Sequence, residues 1–208
     1  MIKIGALDVA NLPGVEKVLV GARLVWLSPD KYRKLTGIKF DGNVFYDTGM
    51  KLHGSDTLQF SFRVTKACNV LGCYTTADAQ TNFSLYVSTT SGSKYLRYNG
   101  GTYNSYIATN TTYNVTVTPT GSSGMRVDSS WTEKTFETAS DMLIGTTSYG
   151  ATSAKLTGNL YGDVSVAGRA LFSPYERVSD GEIIYIDLYT GKEYENKGTG
   201  TPVALGYA

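Results

Sequence analysis

The chain has 208 residues, 19 of them basic and 18 acidic, for a net charge of +1. So even a balance provides no field to gather nucleic acid or an anionic membrane, and no basic stripe with interleaved aromatics occurs. Glycine at 23 and tyrosine at 16 against 5 prolines, with no helical spacing and no apolar run near ~18 residues, point to an all-β protein of strands and tight turns.

Residues 1–27 hold an internal repeat. Ile2-Lys3-Ile4-Gly5-Ala6-Leu7-Asp8-Val9 aligns with Val18-Leu19-Val20-Gly21-Ala22-Arg23-Leu24-Val25. Each copy is three strand residues, Gly-Ala, and three more ending in valine, and glycine first in a two-residue loop suits a β-hairpin. Hairpins this short bury little and need a partner surface. The chain opens as a strand rather than as a charged and then apolar leader, so a product made in the cytoplasm and not exported by the standard route is expected. Residues 28–35 are the one stretch that suits a helix, with Ser28 to cap it, Pro29 in its first turn and basic residues near its end. At two turns or fewer it reads as a linker. Six basic against three acidic residues give residues 1–36 a charge of +3 and leave −2 for the remainder, which sets 1–36 apart as a β-rich docking segment ahead of a domain at 37–208.

That domain begins as a strand over Ile38-Lys39-Phe40, an Asp41-Gly42-Asn43 turn and a second strand through Tyr46. Residues 57–64 alternate cleanly, with Leu58, Phe60, Phe62 and Val64 on one face. Further strands are expected at 67–73, 82–88, 94–98, 113–118, 124–127, 142–145 and 160–166, a spacing that suits two stacked sheets. Cys68 and Cys73 lack the paired spacing of a zinc site and are too few for a disulfide framework, so both are expected as free, packed thiols. Near the end, Ile184, Ile186 and Leu188 alternate with Tyr185, Asp187 and Tyr189, the pattern of a half-buried strand. It reverses at Thr190-Gly191 into Lys192-Glu193-Tyr194.

Two stretches carry a family resemblance. Asp180, Gly181, Asp187, Thr190, Gly191, Tyr194, Asn196, Gly198, Thr199 and Gly200 match the closing signature of laminin-G-like, concanavalin A-like jelly rolls, although Ile184 and Ile186 stand where that family often has Gly and Tyr. The segment 38–49, "IKFDGNVFYDTG", resembles the family's opening. Together they bracket about four fifths of the chain and imply a jelly-roll sandwich behind the N-terminal hairpins. The repeat ending Gly21, Leu24, Val25, Trp26 is similar to a short leader at the front of bacteriophage tail and virion structural proteins. The resemblance implies a virion protein assembled in the host cytoplasm, whose N-terminal segment meets other virion proteins.

The body of the chain also suggests a ligand chemistry. From Ala67 to Gly124 the charges are Asp78, Lys94 and Arg97 alone, amid Ser, Thr, Asn, Gly and Tyr. Flat rings with hydroxyls and amides suit a neutral saccharide. The candidate residues are Tyr95, Arg97, Tyr98, Asn99, Tyr103, Asn104 and Tyr106, with Trp131 as a further platform; the competing reading makes these tyrosines cross-strand packers. Hydrolases share the fold, but their paired carboxylates have no counterpart here, since Glu176, Asp180 and Glu182 have the wrong spacing and Asp187 stands alone. His53 is the one histidine, and a surface role is preferred over a triad. Related sandwiches hold calcium on loop Asp and Asn residues, which makes Asp41, Asn43 and Asp47 a candidate Ca2+ site, though Asp-Gly-Asn is equally a turn. The reading is therefore a non-enzymatic virion protein that displays a lectin-like jelly roll to host surface glycan, as a homo-oligomer such as a trimer. A ligand-free capsid decoration or baseplate protein and a glycan-active hydrolase are the alternatives.

Overall fold

The computed structural model of the protein describes residues 3–4, 7–8, 15–21, 23–73, 83–87, 95–98, 101–104, 108–118, 121–123, 138, 140–148 and 154–208. Among these residues every regular element is a strand, and every pairing between strands is antiparallel. The N-terminal strands are β1 (Lys3–Ile4), β2 (Leu7–Asp8), β3 (Lys17–Val20), β4 (Arg23–Leu27) and β5 (Tyr32–Lys34). The body continues with β6 (Gly37–Asp41), β7 (Tyr46–Asp47), β8 (Leu58–Val64), β9 (Cys68–Cys73), β10 (Phe83–Val87), β11 (Tyr95–Tyr98), β12 (Gly101–Asn104) and β13 (Thr112–Thr118). It ends with β14 (Gly121–Ser123), β15 (Leu143–Ile144), β16 (Thr157–Val166), β17 (Ala170–Arg177), β18 (Ile183–Asp187), β19 (Glu193–Tyr194) and β20 (Val203–Ala204). The strand expected at 124–127 lies outside the described residues.

Two large sheets share one core. The smaller runs β12-β11-β10-β9-β15-β7; the larger runs β14-β13-β8-β16-β17-β18-β19, with β6 and β20 beside β16 and β5 beside β17. Leu58, Phe60, Phe62 and Val64 of β8 point inward as their alternation requires, and belong to one buried cluster with Val70, Leu71, Leu85 and Ile144 from the smaller sheet. Tyr46 ties the layers: its hydroxyl donates to the Ile183 carbonyl at 3.0 Å, and its ring meets Tyr185 edge-on at 4.9 Å. Cys68 and Cys73 are buried free thiols in this core.

The stretches 38–49 and 193–204 meet in space. β20 pairs with β6, and Asn196 takes the Phe45 and Gly198 N–H groups on its Oδ1 while donating to the Gly200 carbonyl. A Cβ at Gly198 would lie 1.7 Å from the Asn43 carbonyl oxygen, so only glycine lets the closing loop reach the opening turn. The hairpin turn at 190–191 forms as expected, with Gly191 at φ +72°. Asp187 holds that turn, accepting the N–H groups of Leu171 and Tyr189 at 3.0 Å each and the Thr190 hydroxyl at 2.7 Å.

Two expectations need correction. Residues 28–35 form no helix: the Ser28 carbonyl takes the Lys31 and Tyr32 N–H groups, closing one turn, and the chain then extends as β5. A two-turn helix nucleates poorly, whereas the edge of β17 offers ready partners, pairing Tyr32, Arg33 and Lys34 with Arg177, Glu176 and Tyr175. Second, the strand around Ile184 is not half-buried; all five residues of β18 are buried. Ile183 and Tyr185 face the main core, and Ile184 and Ile186 form a second cluster with Leu24 of the β3–β4 hairpin and Tyr32 of β5. The Leu24 N–H also donates to the Tyr189 carbonyl at 3.2 Å. Residues 15–34 thus supply the surface that covers the outer face of β17 and β18.

Candidate functional site

The residues singled out for saccharide contact occupy the outermost strands of the smaller sheet. Tyr95, Arg97 and Tyr98 lie on β11, and Tyr103 and Asn104 on β12; Asn99, Tyr106 and Trp131 lie outside the described residues. The register sets Tyr95 opposite Asn104, Leu96 opposite Tyr103, and Arg97 opposite Thr102. Positions 95, 97 and 104 therefore share one face of this ribbon, and positions 98 and 103 share the other.

The acidic candidates serve turns and ion pairs. The Asp41 carboxylate accepts the Asn43 N–H at 2.8 Å and that of Asp47 accepts the Gly49 N–H at 2.9 Å, both local turn bonds. Among the described residues no three His, Cys, Asp or Glu side chains gather as a metal-holding group. The backbone N–H of His53 donates to Asp56, which is buried and paired with Arg169. Glu176 accepts the Tyr207 hydroxyl, and Asp180 and Glu182 both bind Arg177.

Arg177 is the hub of an assembly that linear spacing conceals. Its guanidinium reaches Asp180 at 3.0 Å, Glu182 at 2.6 Å, Glu193 at 3.0 Å and Glu195 at 3.2 Å. Glu193 also pairs with Lys17 and accepts the Tyr32 hydroxyl at 2.7 Å, which joins this hub to the N-terminal hairpin. Burial pulls the Glu193 carboxyl upward, but the bonds from Lys17 and Tyr32 outweigh it and hold it below the usual carboxylate range. Glu182 moves the other way, raised by burial and by the Glu195 charge. The cluster is a clasp between segments distant in sequence.

A surface suited to a ligand opens on the outer face of the larger sheet. Since Phe60, Val115 and Val164 point into the core, their neighbours point outward. Gln59, Ser61, Asn114, Thr116, Tyr161 and Asp163 thereby line a groove of about 580 Å3. β16 is irregular here: its pairing with β8 shifts between Tyr161 and Ser165, and the Gly162 N–H leaves the ladder to bond the Thr36 carbonyl at 2.8 Å. Such a bulge re-aims side chains, and it falls where β16 exchanges β6 for β17 as its neighbour. Asn159 donates to the Tyr161 hydroxyl at 2.8 Å, and the buried Ser173 hydroxyl donates to Asp163 at 2.5 Å. Lys34 lies 3.5 Å from the same carboxylate and balances its charge. The groove thus offers amides, hydroxyls and one ring with almost no net charge. Alternation along 57–64 already marks Gln59 and Ser61 as outward; that β13 and β16 flank them follows only from the sheet order.

No family model matches the chain, and no curated protein or solved structure is detectably similar to it.

Proposed function

We propose that the protein is a bacteriophage virion component whose jelly-roll domain binds a neutral saccharide of the bacterial surface, without making or breaking a bond. The observation that carries the reading is the groove over β13, β8 and β16, where Gln59, Ser61, Asn114 and Thr116 stand beside Tyr161 with the Asp163 charge met by Lys34. Amides and hydroxyls can exchange water for sugar hydroxyls at little net cost, and a neutral surface does not favour a charged polymer. Support for the jelly roll comes from the opening and closing stretches, 38–49 and 180–200, which close on each other through Asn196, Gly198 and Gly200. In this reading the docking role toward other virion proteins falls to β1 and β2, because β3, β4 and β5 are built against the body. Assembly as a homo-oligomer, a trimer for instance, multiplies weak sugar contacts into firm adhesion.

The test is binding of the purified chain to a glycan array and to bacterial cell walls. Retention on neutral glycan that Asn114→Ala weakens supports the groove; retention that Tyr103→Ala or Trp131→Ala weakens moves the contact to the β11–β12 side. No retention on any glycan or cell wall refutes the saccharide reading.

A further inference from the structure

Where the β3–β4 hairpin leans over the larger sheet it leaves a pocket of about 400 Å3. Its walls are Trp26 and Leu27 from the hairpin side, Tyr32 and Lys34 from β5, Tyr175 from β17, and Leu188 beyond β18. Three aromatic residues from three separate strands thus border one recess. Tyr32 and Tyr175 also belong to the cluster that seats the hairpin, so the body supplies one side and the hairpin the other. The recess adjoins the polar groove. Lys34 lines the pocket and Asp163 lines the groove, and their ion pair stands between the two. Leu171 of the groove accepts the N–H of Leu188 of the pocket at 2.8 Å.

We infer that pocket and groove form one continuous cleft for a neutral oligosaccharide, in which Trp26 of the N-terminal hairpin and Tyr175 of the sheet provide a stacking subsite. The inference rests on the saccharide reading of the groove and adds to it a second part of the ligand and a role for the hairpin. A pyranose ring presents C–H faces, which seat on aromatic rings, and hydroxyl edges, which bond to amides, hydroxyls and charged groups. The cleft offers these two surfaces side by side. A wholly apolar occupant would bury the Lys34–Asp163 pair without replacing its water, which is costly. A nucleic acid would set phosphates against Asp163, with Lys34 already spent on that carboxylate. Pocket and groove each fall in the size range of small-molecule clefts.

The hairpin becomes a binding element as well as a cover. Saccharide affinity then depends on its docking, and a chain whose hairpin is displaced loses the stacking subsite while keeping the groove.

The chain has two tryptophans, so 5-fluorotryptophan labelling of the full protein gives two fluorine resonances, assigned with Trp26→Phe. The probes are cellohexaose, laminarihexaose, maltohexaose and chitohexaose, with any neutral glycan retained on the array added to them. A bound oligosaccharide is expected to shift the Trp26 resonance, and Tyr175→Leu, which removes a ring from the sheet side, is expected to weaken affinity about tenfold or more, the scale of one lost ring contact. Asn114→Ala weakens binding of the same sugar from the groove side. Binding that leaves the Trp26 resonance in place and is indifferent to Tyr175→Leu overturns the subsite and leaves the groove reading standing. Absence of binding to every neutral glycan overturns both.

Discussion

If the β3–β4 hairpin is packed on β18 as described, Leu24 and Ile184 are energetically coupled although 160 positions separate them. Ile184 is fully buried and Leu24 is 9% exposed, and each touches the small cluster that contains the other. Truncating a buried Leu or Ile to Ala costs about 2–5 kcal/mol, with the value set by how far the site collapses. Leu24 lies on a two-stranded hairpin that can settle into the void, which places it near ~2 kcal/mol; Ile184 is fixed in the middle of a sheet, which places it near ~3 kcal/mol. Once Leu24→Ala has opened the cluster, Ile184→Ala has less packing to lose, so the double variant falls short of the sum by about 1 kcal/mol. Urea unfolding of the parent, both single variants and the double, at constant m-value, measures each term. For a chain of this size the Ile184→Ala loss also lowers Tm by about 6–12 °C. Losses that add to within about 0.3 kcal/mol, or a Leu24→Ala variant as stable as the parent, refute the docking and with it the stacking subsite.

Four more expectations follow from the geometry. Gly198→Ala places a Cβ 1.7 Å from the Asn43 carbonyl, a backbone atom that cannot swing aside, so it costs at least about 3 kcal/mol in thermal or urea unfolding; an unchanged Tm refutes the closure of the two ends. The Glu193 carboxyl is held below its ordinary value of 4.5, so its contribution to stability is present above that pH and is lost as pH falls through the lower, folded value; Glu193→Gln removes this part of the acid sensitivity, and parallel pH–stability curves contradict it. Glu182 is raised and has the opposite sign, so Glu182→Gln is expected to leave stability at pH 7 unchanged or increased, and a marked loss contradicts it. Burial pushes the Cys68 thiol up to about 11 and that of Cys73 to about 12, so native protein at pH 8 reacts negligibly with a disulfide reagent while urea-unfolded protein titrates two thiols; rapid reaction of the native form refutes the packed core around β9.

What was legible in the sequence is what depends on near neighbours. The reversal between Val20 and Arg23, the alternation of Leu58 through Val64 and the reversal at Thr190-Gly191 are local patterns, and each became the element it specifies. The pairing of distant ends was readable only as a resemblance between two short stretches, because nothing in 38–49 by itself names its partner. β17 carried no local signal: Ser173 and Pro174 cut short the apolar run Ala170-Leu171-Phe172 at its centre, yet it pairs with β16, β18 and β5. A proline is tolerated there because its nitrogen faces the gap where β17 changes partner from β16, paired up to Phe172, to β5, paired from Tyr175, so no ladder N–H is called for, and its carbonyl takes the Leu35 N–H at 2.9 Å.

The candidate site divides in the same way. The sequence alone specified an all-β chain, its tight turns, its alternating faces and a composition rich in hydroxyls, amides and tyrosines. It could not tell that Ile184 and Ile186 are covered rather than bare, since alternation reports that a strand has two faces and not what lies against each. Nor could it gather Lys17, Tyr32, Arg177 and Glu193, or bring Asn114, Asp163 and Lys34 to one surface. Those neighbours are chosen by strand order and by the hairpin that folds back over β18, and such contacts between residues far apart in the chain leave no periodic trace along it.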